Sequence, residues 1–302
     1  MLRRGVEARR GNPMASTGIR SGFGFGTALM TVLGITAWCA PVIAGPVPDD
    51  ISLAAHRAIY DLKLADTRGK RALEAVRGRI LYDFSGNACE GYALQFRQVT
   101  ELDSGEGKIA MSDLRSTTWE DGDAKSFRFN SQNYLDQKLT ESVDGKAERQ
   151  GANVTVTLVK PEPKKVDFGA VTFPSEQMRM IIAAARAGKS LLEVTVYDGS
   201  ENGEKLYQSL AVIGRKIEPG ERNPTDAAAG QSALATVARW PVTVSYFEKS
   251  ADKGGTEQTP AYSLAFELYE NGISRALVLD YGDFSVSGEM TTLEVKDTKP
   301  CR

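Results

Sequence analysis

The sequence predicts a mainly β protein with antiparallel pairing and one principal helix near residues 174–187. Three observations carry this. Runs rich in β-branched and aromatic residues alternate with polar ones along most of the chain after residue 50. Gly, Asn and Asp clusters separate these runs, and Asn271-Gly272 is a strong hairpin signal. A single long segment places apolar residues at helical spacing instead.

The N-terminus comes first. Arg3, Arg4, Arg9, Arg10 and Arg20 precede an apolar stretch from Phe23 to Ala44, with Val42-Ile43-Ala44 as a small-residue exit. That order is the secretory signal pattern, so residues 1–44 read as a cleaved signal peptide, with Met14 as an alternative start. Pro41 interrupts the run and polar sequence follows, which argues against a stable transmembrane span after cleavage. Bulky Trp38 beside Cys39 is wrong for lipoprotein processing, so Cys39 is read as lost with the signal. Residues 45–50 form a short linker, and 51–302 a single domain. Removing five Arg and one Glu with the signal changes the formal charge from −2 to −6. An acidic chain has no basic footprint for nucleic acid.

Strands follow in order. His56–Leu64 opens the set, and Val76–Phe84 places Ile80, Tyr82 and Phe84 on one face by period two. Tyr92–Val99, Ser126–Asn130 and Asn153–Leu158 continue it. Pro174–Gly188 breaks the pattern: Met178, Ile181, Ile182 and Ala185 share a stripe, Pro174 suits the first turn and Gly188 the cap, so this helix should pack on a sheet. Leu192–Tyr197 and Leu206–Ile213 flank the turn Asp198–Gly203. Glu218–Ser232 reads as a mobile loop. Trp240–Tyr246, Leu264–Tyr269, Ala276–Leu279, Phe284–Ser287 and Leu293–Val295 complete about thirteen strand candidates, with no repeat of fixed period.

The candidate chemistry is sparse. His56 is the only histidine, which makes histidine-rich metal sites impossible; its place in the first strand favours packing over catalysis. Cys89 and Cys301 are the two cysteines left after export. An even pair in an oxidising compartment points to a disulfide, with two unrelated thiols as the alternative. Asp198–Gly203 resembles half a calcium loop, but Ser209 stands where a bidentate Glu is needed, so a turn explains it better. Glu120, Asp121 and Asp123 beside Trp119 superficially suit a sugar site; Asp121-Gly122-Asp123 is also what a tight turn needs. No cofactor motif is present.

Several segments carry a family resemblance: Ala54–Leu62, Trp119–Gly122 with Phe127–Phe129, Phe173–Gly188, and Tyr197–Glu201. They resemble the EipB family of periplasmic cell-envelope-integrity proteins, formerly a domain of unknown function, over roughly Ile51 to Arg302. None of these motifs is catalytic. The resemblance implies a wide antiparallel β-spiral, a half-open, cup-like barrel of the lipoprotein-carrier shape, and a disulfide, here Cys89 with Cys301. It also implies a periplasmic protein partner, of which a tetratricopeptide-repeat protein is one type. The functional expectation is a non-enzymatic periplasmic protein that binds a protein partner or an apolar ligand such as a lipid or peptide. A soluble lipid or lipoprotein carrier is the second reading, and a glycan-acting hydrolase the third.

Overall fold

The first strand, β1 (His56–Thr67), lies in the middle of the sheet rather than at its edge. The computed structural model describes residues 51–68, 73–105, 107–222, 224–228, 230–249 and 259–298. From β1 the chain meanders outward through β2 (Ala75–Asn87), β3 (Gly91–Asp103), β4 (Ile109–Glu120), β5 (Ser126–Leu135), β6 (Lys138–Gln150), β7 (Asn153–Lys160) and β8 (Lys164–Phe168). Helix α1 (Pro174–Arg186) carries it to the opposite edge, β9 (Leu191–Val196). It then returns through β10 (Tyr207–Ile213), the short α2 (Ser232–Ala235), β11 (Arg239–Glu248), β12 (Tyr262–Tyr269) and β13 (Ser274–Asp280) to β14 (Phe284–Val295), which pairs with β1.

All thirteen strand pairings are antiparallel, in the order β8-β7-β6-β5-β4-β3-β2-β1-β14-β13-β12-β11-β10-β9. The two edges, β8 and β9, do not pair. Instead Thr172, just beyond β8, forms a parallel bridge to Val196: its N–H donates to Thr195 O at 2.7 Å, and Tyr197 N–H donates to its carbonyl at 3.0 Å. The sheet is rolled but not closed, as the half-open barrel expectation required.

Alternation explains the strand faces. In β5 and β6, Phe127, Phe129, Val143 and Ala147 are buried, while Arg128 and Lys146 are exposed. Phe127, Phe129, Val156, Phe173 and Tyr197 belong to one core cluster. A second cluster joins α1, through Ile181, Ile182 and Ala185, to Phe84 and Tyr92 on one arm and to Trp240, Val242 and Phe266 on the other.

Helix α1 departs from its sequence reading in one respect. A single apolar stripe was expected, yet Gln177, Arg179, Met180 and Ala184 are buried as well. Sheet surrounds the helix on more than one side, so it acts as an internal plug. Its ends follow the sequence signals: Phe173 N–H donates to Glu176 Oε2 at 3.2 Å, and Gly188 takes φ +70° where Lys189 N–H reaches back to Ala184 O.

The 218–232 segment also departs from expectation. Asp226 and Ala228 are buried, and Arg275 on β13 grips Asp226 with Nη2–Oδ1 at 2.6 Å. The same Arg275 meets Glu267 at 2.5 Å, and Glu267 meets Arg239 at 2.6 Å. A polar composition read as mobile is anchored by a buried four-residue ion network.

Candidate functional site

The inward side chains of β1, β2, β3, β12 and β13, closed by Met178 of α1, enclose a cavity of about 230 Å³. Its apolar wall is Ile80, Phe96, Phe266, Leu277 and Leu279, and its polar groups are His56, Tyr60, Tyr82 and Ser274. The lining extends from Gly272, in the β12–β13 turn, to Leu264 and Leu279, which pair across β12 and β13 near the opposite end of those strands. Gly272 is in the left-handed conformation at φ +85°, and a Cβ there would lie 2.7 Å from Leu53, so the turn needs glycine.

The polar wall is largely satisfied from within. His56 Nδ1 lies 2.7 Å from Ala54 O, and its ring stacks on Tyr82 with centroids 5.4 Å apart. Burial holds the imidazole below its ordinary pKa, so it is neutral at pH 7. Tyr60 Oη donates to Ser274 O at 2.7 Å, and burial pushes both Tyr60 and Tyr82 upward, Tyr82 to about 12. These hydroxyls stay protonated. His56 therefore does what its place in the first strand indicated: it packs and makes a local hydrogen bond.

Beneath α1 lies a second buried polar feature. Glu120, the last residue of β4, accepts the N–H groups of Ser175 at 2.6 Å and Glu176 at 2.7 Å, two of the otherwise unsatisfied donors of the helix. Burial pushes its carboxyl up to about 7, against the pull of those two bonds. Glu176 in turn is held by Arg149 at 2.7 Å. Along the helix, Gln177 Nε2 donates to buried Ser209 at 2.7 Å.

The acidic group beside Trp119 is not one site. Glu120 points inward under α1. Asp121 and Asp123 form the β4–β5 turn, where Asp121 accepts Asp123 N–H at 3.0 Å and Ala124 N–H donates to Asp121 O at 2.8 Å. Trp119 faces outward, beside Arg128, and lines an open groove of about 500 Å³ with Asn130, Asp144 and Lys146. The groove is larger than the interior cavity but more open, so it desolvates a ligand less. The Asp198–Gly203 segment is a turn: Asp198 accepts Ser200 N–H at 2.9 Å, and Tyr197 Oη donates to Gly203 O at 2.8 Å. Among the described residues, no group of three or more His, Cys, Asp or Glu is placed to hold a metal ion.

Cys89 sits in the β2–β3 turn, its N–H donating to Asn87 Oδ1 at 2.8 Å. Cys301 lies outside the described residues, as do residues 1–50 with the proposed signal peptide. Among the described residues no helix is long and apolar enough to cross a membrane.

The comparisons with known proteins agree with this architecture. The EipB-like family model matches residues 49–297. The chain belongs to that family. A curated relative, "Cell envelope integrity protein EipB" of Brucella abortus (strain 2308), is 35% identical over 261 residues, covering 86% of this chain and 91% of the relative. A crystal structure of a β-barrel-like protein of a domain of unknown function, DUF1849, also from Brucella abortus, superposes with a TM-score of 0.74 at 36% identity. It covers 81% of this chain and 99% of that one. The EipB-like chain thus shares its rolled, open β architecture with a solved structure.

Proposed function

We propose that this protein is a non-enzymatic periplasmic factor that supports cell-envelope integrity, and that it does so by binding an apolar ligand or a protein partner. The observation that carries the reading is the 35% identity, over most of both chains, to a protein named for cell-envelope integrity. The basic and apolar leader of residues 1–44 supports export. The neutral, satisfied His56 and the spent carboxylates of Glu120 and Glu176 support a binding role over catalysis, because each is already committed to packing or to capping α1.

Geometry also supports the Cys89–Cys301 bridge. Val295 pairs with His56, which pairs with Phe84, so β14 leaves the sheet running in the same direction as β2 and two strands away. Lys296 contacts Asp83 of β2. Cys301 is five positions beyond Lys296, a reach of about 17 Å when extended, while β2 advances a similar length to Cys89.

The lipid-carrier reading is favoured by the cavity, whose walls are mostly apolar and in which His56 Nδ1 and Tyr60 Oη already have internal partners. Its volume limits the cargo. About 230 Å³ lies below the roughly 300–1,000 Å³ usual for ligand pockets, so it suits a segment of one alkyl chain. A multiply acylated lipoprotein would require α1 to withdraw. Native mass spectrometry of protein purified from its own envelope tests the binding function: a bound acyl lipid supports it. Deleting the gene tests the physiological role. Unchanged tolerance to detergent and to cell-wall antibiotics would count against a part in envelope integrity.

A further inference from the structure

Nine large apolar side chains are well exposed among the described residues, and their distribution is uneven. Six of them, Ile109, Met111, Leu135, Leu139, Val159 and Tyr281, fall at one end of the sheet. That end holds the β3–β4, β5–β6, β7–β8 and β13–β14 turns, and the chain enters and leaves α1 at the other.

The β5–β6 hairpin forms a finger there. β6 first pairs with β7 at Asp144, so residues 138–143 have no strand on that side, and residues 135–141 are all exposed. Leu135 is 44% exposed and Leu139 52%. They lie on opposite faces: Leu135 continues the inward series of Phe127 and Phe129, whereas Leu139 sits across from Tyr134 in the outward series. Ile109 and Met111 stand beside the finger at 56% and 37% exposed. Met111 is fixed to the fingertip, its N–H donating to Asp136 Oδ1 at 2.9 Å and Asp136 N–H donating to its carbonyl at 2.8 Å. Lys108 lies in the β3–β4 turn and Lys138 opens β6, with the acidic Asp136 and Glu141 also exposed on the finger.

A finger that carries one exposed leucine on each face, among the polar residues Asp136, Gln137, Lys138, Thr140 and Glu141, is poorly matched to a flat protein partner, which covers one face only. A fluid phase covers both. Four side chains also fall short of the roughly 800 Å² per partner that a stable protein interface buries. Lysines bordering apolar side chains are what the boundary between headgroups and acyl chains accommodates, because their stems can bury while the ammonium groups reach phosphate. We infer that this end of the sheet docks on a phospholipid bilayer, with Leu135 and Leu139 entering the headgroup–acyl boundary. The inference stands on the surface of the finger and does not depend on the interior cavity.

Flotation of the purified protein with vesicles of phosphatidylethanolamine and phosphatidylglycerol tests it. The unaltered protein should float with the vesicles. The double substitution Leu135→Glu with Leu139→Glu should weaken partition by about tenfold or more, since two apolar insertions are replaced by charges. Leu191→Glu, an exposed apolar position at the opposite end, should leave partition unchanged. An environment-sensitive dye on Leu139→Cys gives a reading independent of the charged variant: its emission should shift to the blue with vesicles, and a dye on Leu191→Cys should not respond. Failure of the unaltered protein to float, equal flotation of the double variant, or equal loss with Leu191→Glu would overturn the inference. So would self-association without vesicle binding that the double substitution abolishes, which would assign the finger to a second copy of the chain.

Discussion

The buried carboxyl of Glu120 makes the stability of this fold depend on pH with a sign that can be worked out in advance. Glu120 is 2% exposed and accepts two backbone N–H groups at the start of α1. Its folded pKa of about 7 stands above the ordinary value of 4.5, with burial as the largest cause. The folded protein therefore binds this proton more tightly than the unfolded chain does. The resulting stabilisation is complete below about pH 4.5 and is lost as pH rises through 7. A difference of about 2.5 pKa units corresponds to about 3 kcal/mol, lost between roughly pH 4.5 and pH 8.

Other groups titrate across the same range, so a variant must isolate the effect. His56, lowered by burial, contributes with the opposite sign: its stabilisation is lost as pH falls below 6.5. Asp198, raised by burial, shares the sign of Glu120. Both are common to the unaltered protein and to Glu120→Gln, so they cancel in the difference between the two. Urea unfolding of each protein at a series of pH values from about 5 to 9 supplies that difference. The amide of Glu120→Gln has one acceptor oxygen for two donors, so the variant should start about 1–3 kcal/mol less stable at low pH. That deficit should shrink by about 3 kcal/mol, or reverse, toward pH 9. Parallel stability–pH curves for the two proteins would refute the reasoning, because the carboxyl would then be titrating alike in the folded and unfolded chains.

Three further outcomes are expected. Cys89→Ser should lower stability by up to about 5 kcal/mol, the chain-entropy value for a closure of 212 residues, and the melting temperature by up to about 20 °C; melting curves that coincide with and without reductant would contradict a stabilising bridge. Arg275→Leu should strand the buried carboxylate of Asp226, while Glu267 keeps Arg239, and cost about 3–5 kcal/mol. The same variant should expose the 214–238 segment to limited proteolysis, and an unchanged cleavage pattern would mean that the ion network does not anchor it. Leu277→Trp should fill the interior cavity and displace a bound fluorescent fatty acid while circular dichroism stays that of the parent; retained binding would place the ligand elsewhere.

Much of the fold was legible because one side of most strands is buried. Ile80 and Phe84 in β2, and Phe127 and Phe129 in β5, alternate with polar residues strongly enough to mark strands. Three strands escaped this test. The inward face of β6 is built from small residues, with Gly145 against Phe129 and Ala147 fully buried, so alternation gives little hydrophobic contrast. β4 carries Ser112, Ser116 and Thr118 on its inward face, and β8 is a short edge strand with two lysines. At the C-terminal end, two expected strands are one, β14, because Gly288 and Thr291 dilute its apolar pattern. The cavity could not be read at all. Its walls come from strands and a helix separated by more than two hundred positions, and pairing order decides which of them meet.

Topology ties these features together. Because β1 lies at the centre of the sheet, the N-terminal and C-terminal strands are zipped to each other, and the edges that remain open are those joined by α1. Widening the gap between β8 and β9 therefore need not disturb β1–β14; it has to break the Thr172–Val196 bridge and draw α1 from the sheet. Besides the apolar packing of Ile181, Ile182 and Ala185, the polar contacts that hold α1 there include Glu120 at its N-terminus, Arg149 on Glu176, Gln177 on Ser209, and Arg186 on Glu270 at 2.8 Å. A ligand larger than the present cavity could be admitted only at the expense of those contacts. The Glu120 experiment therefore also measures part of the energy that keeps the interior closed.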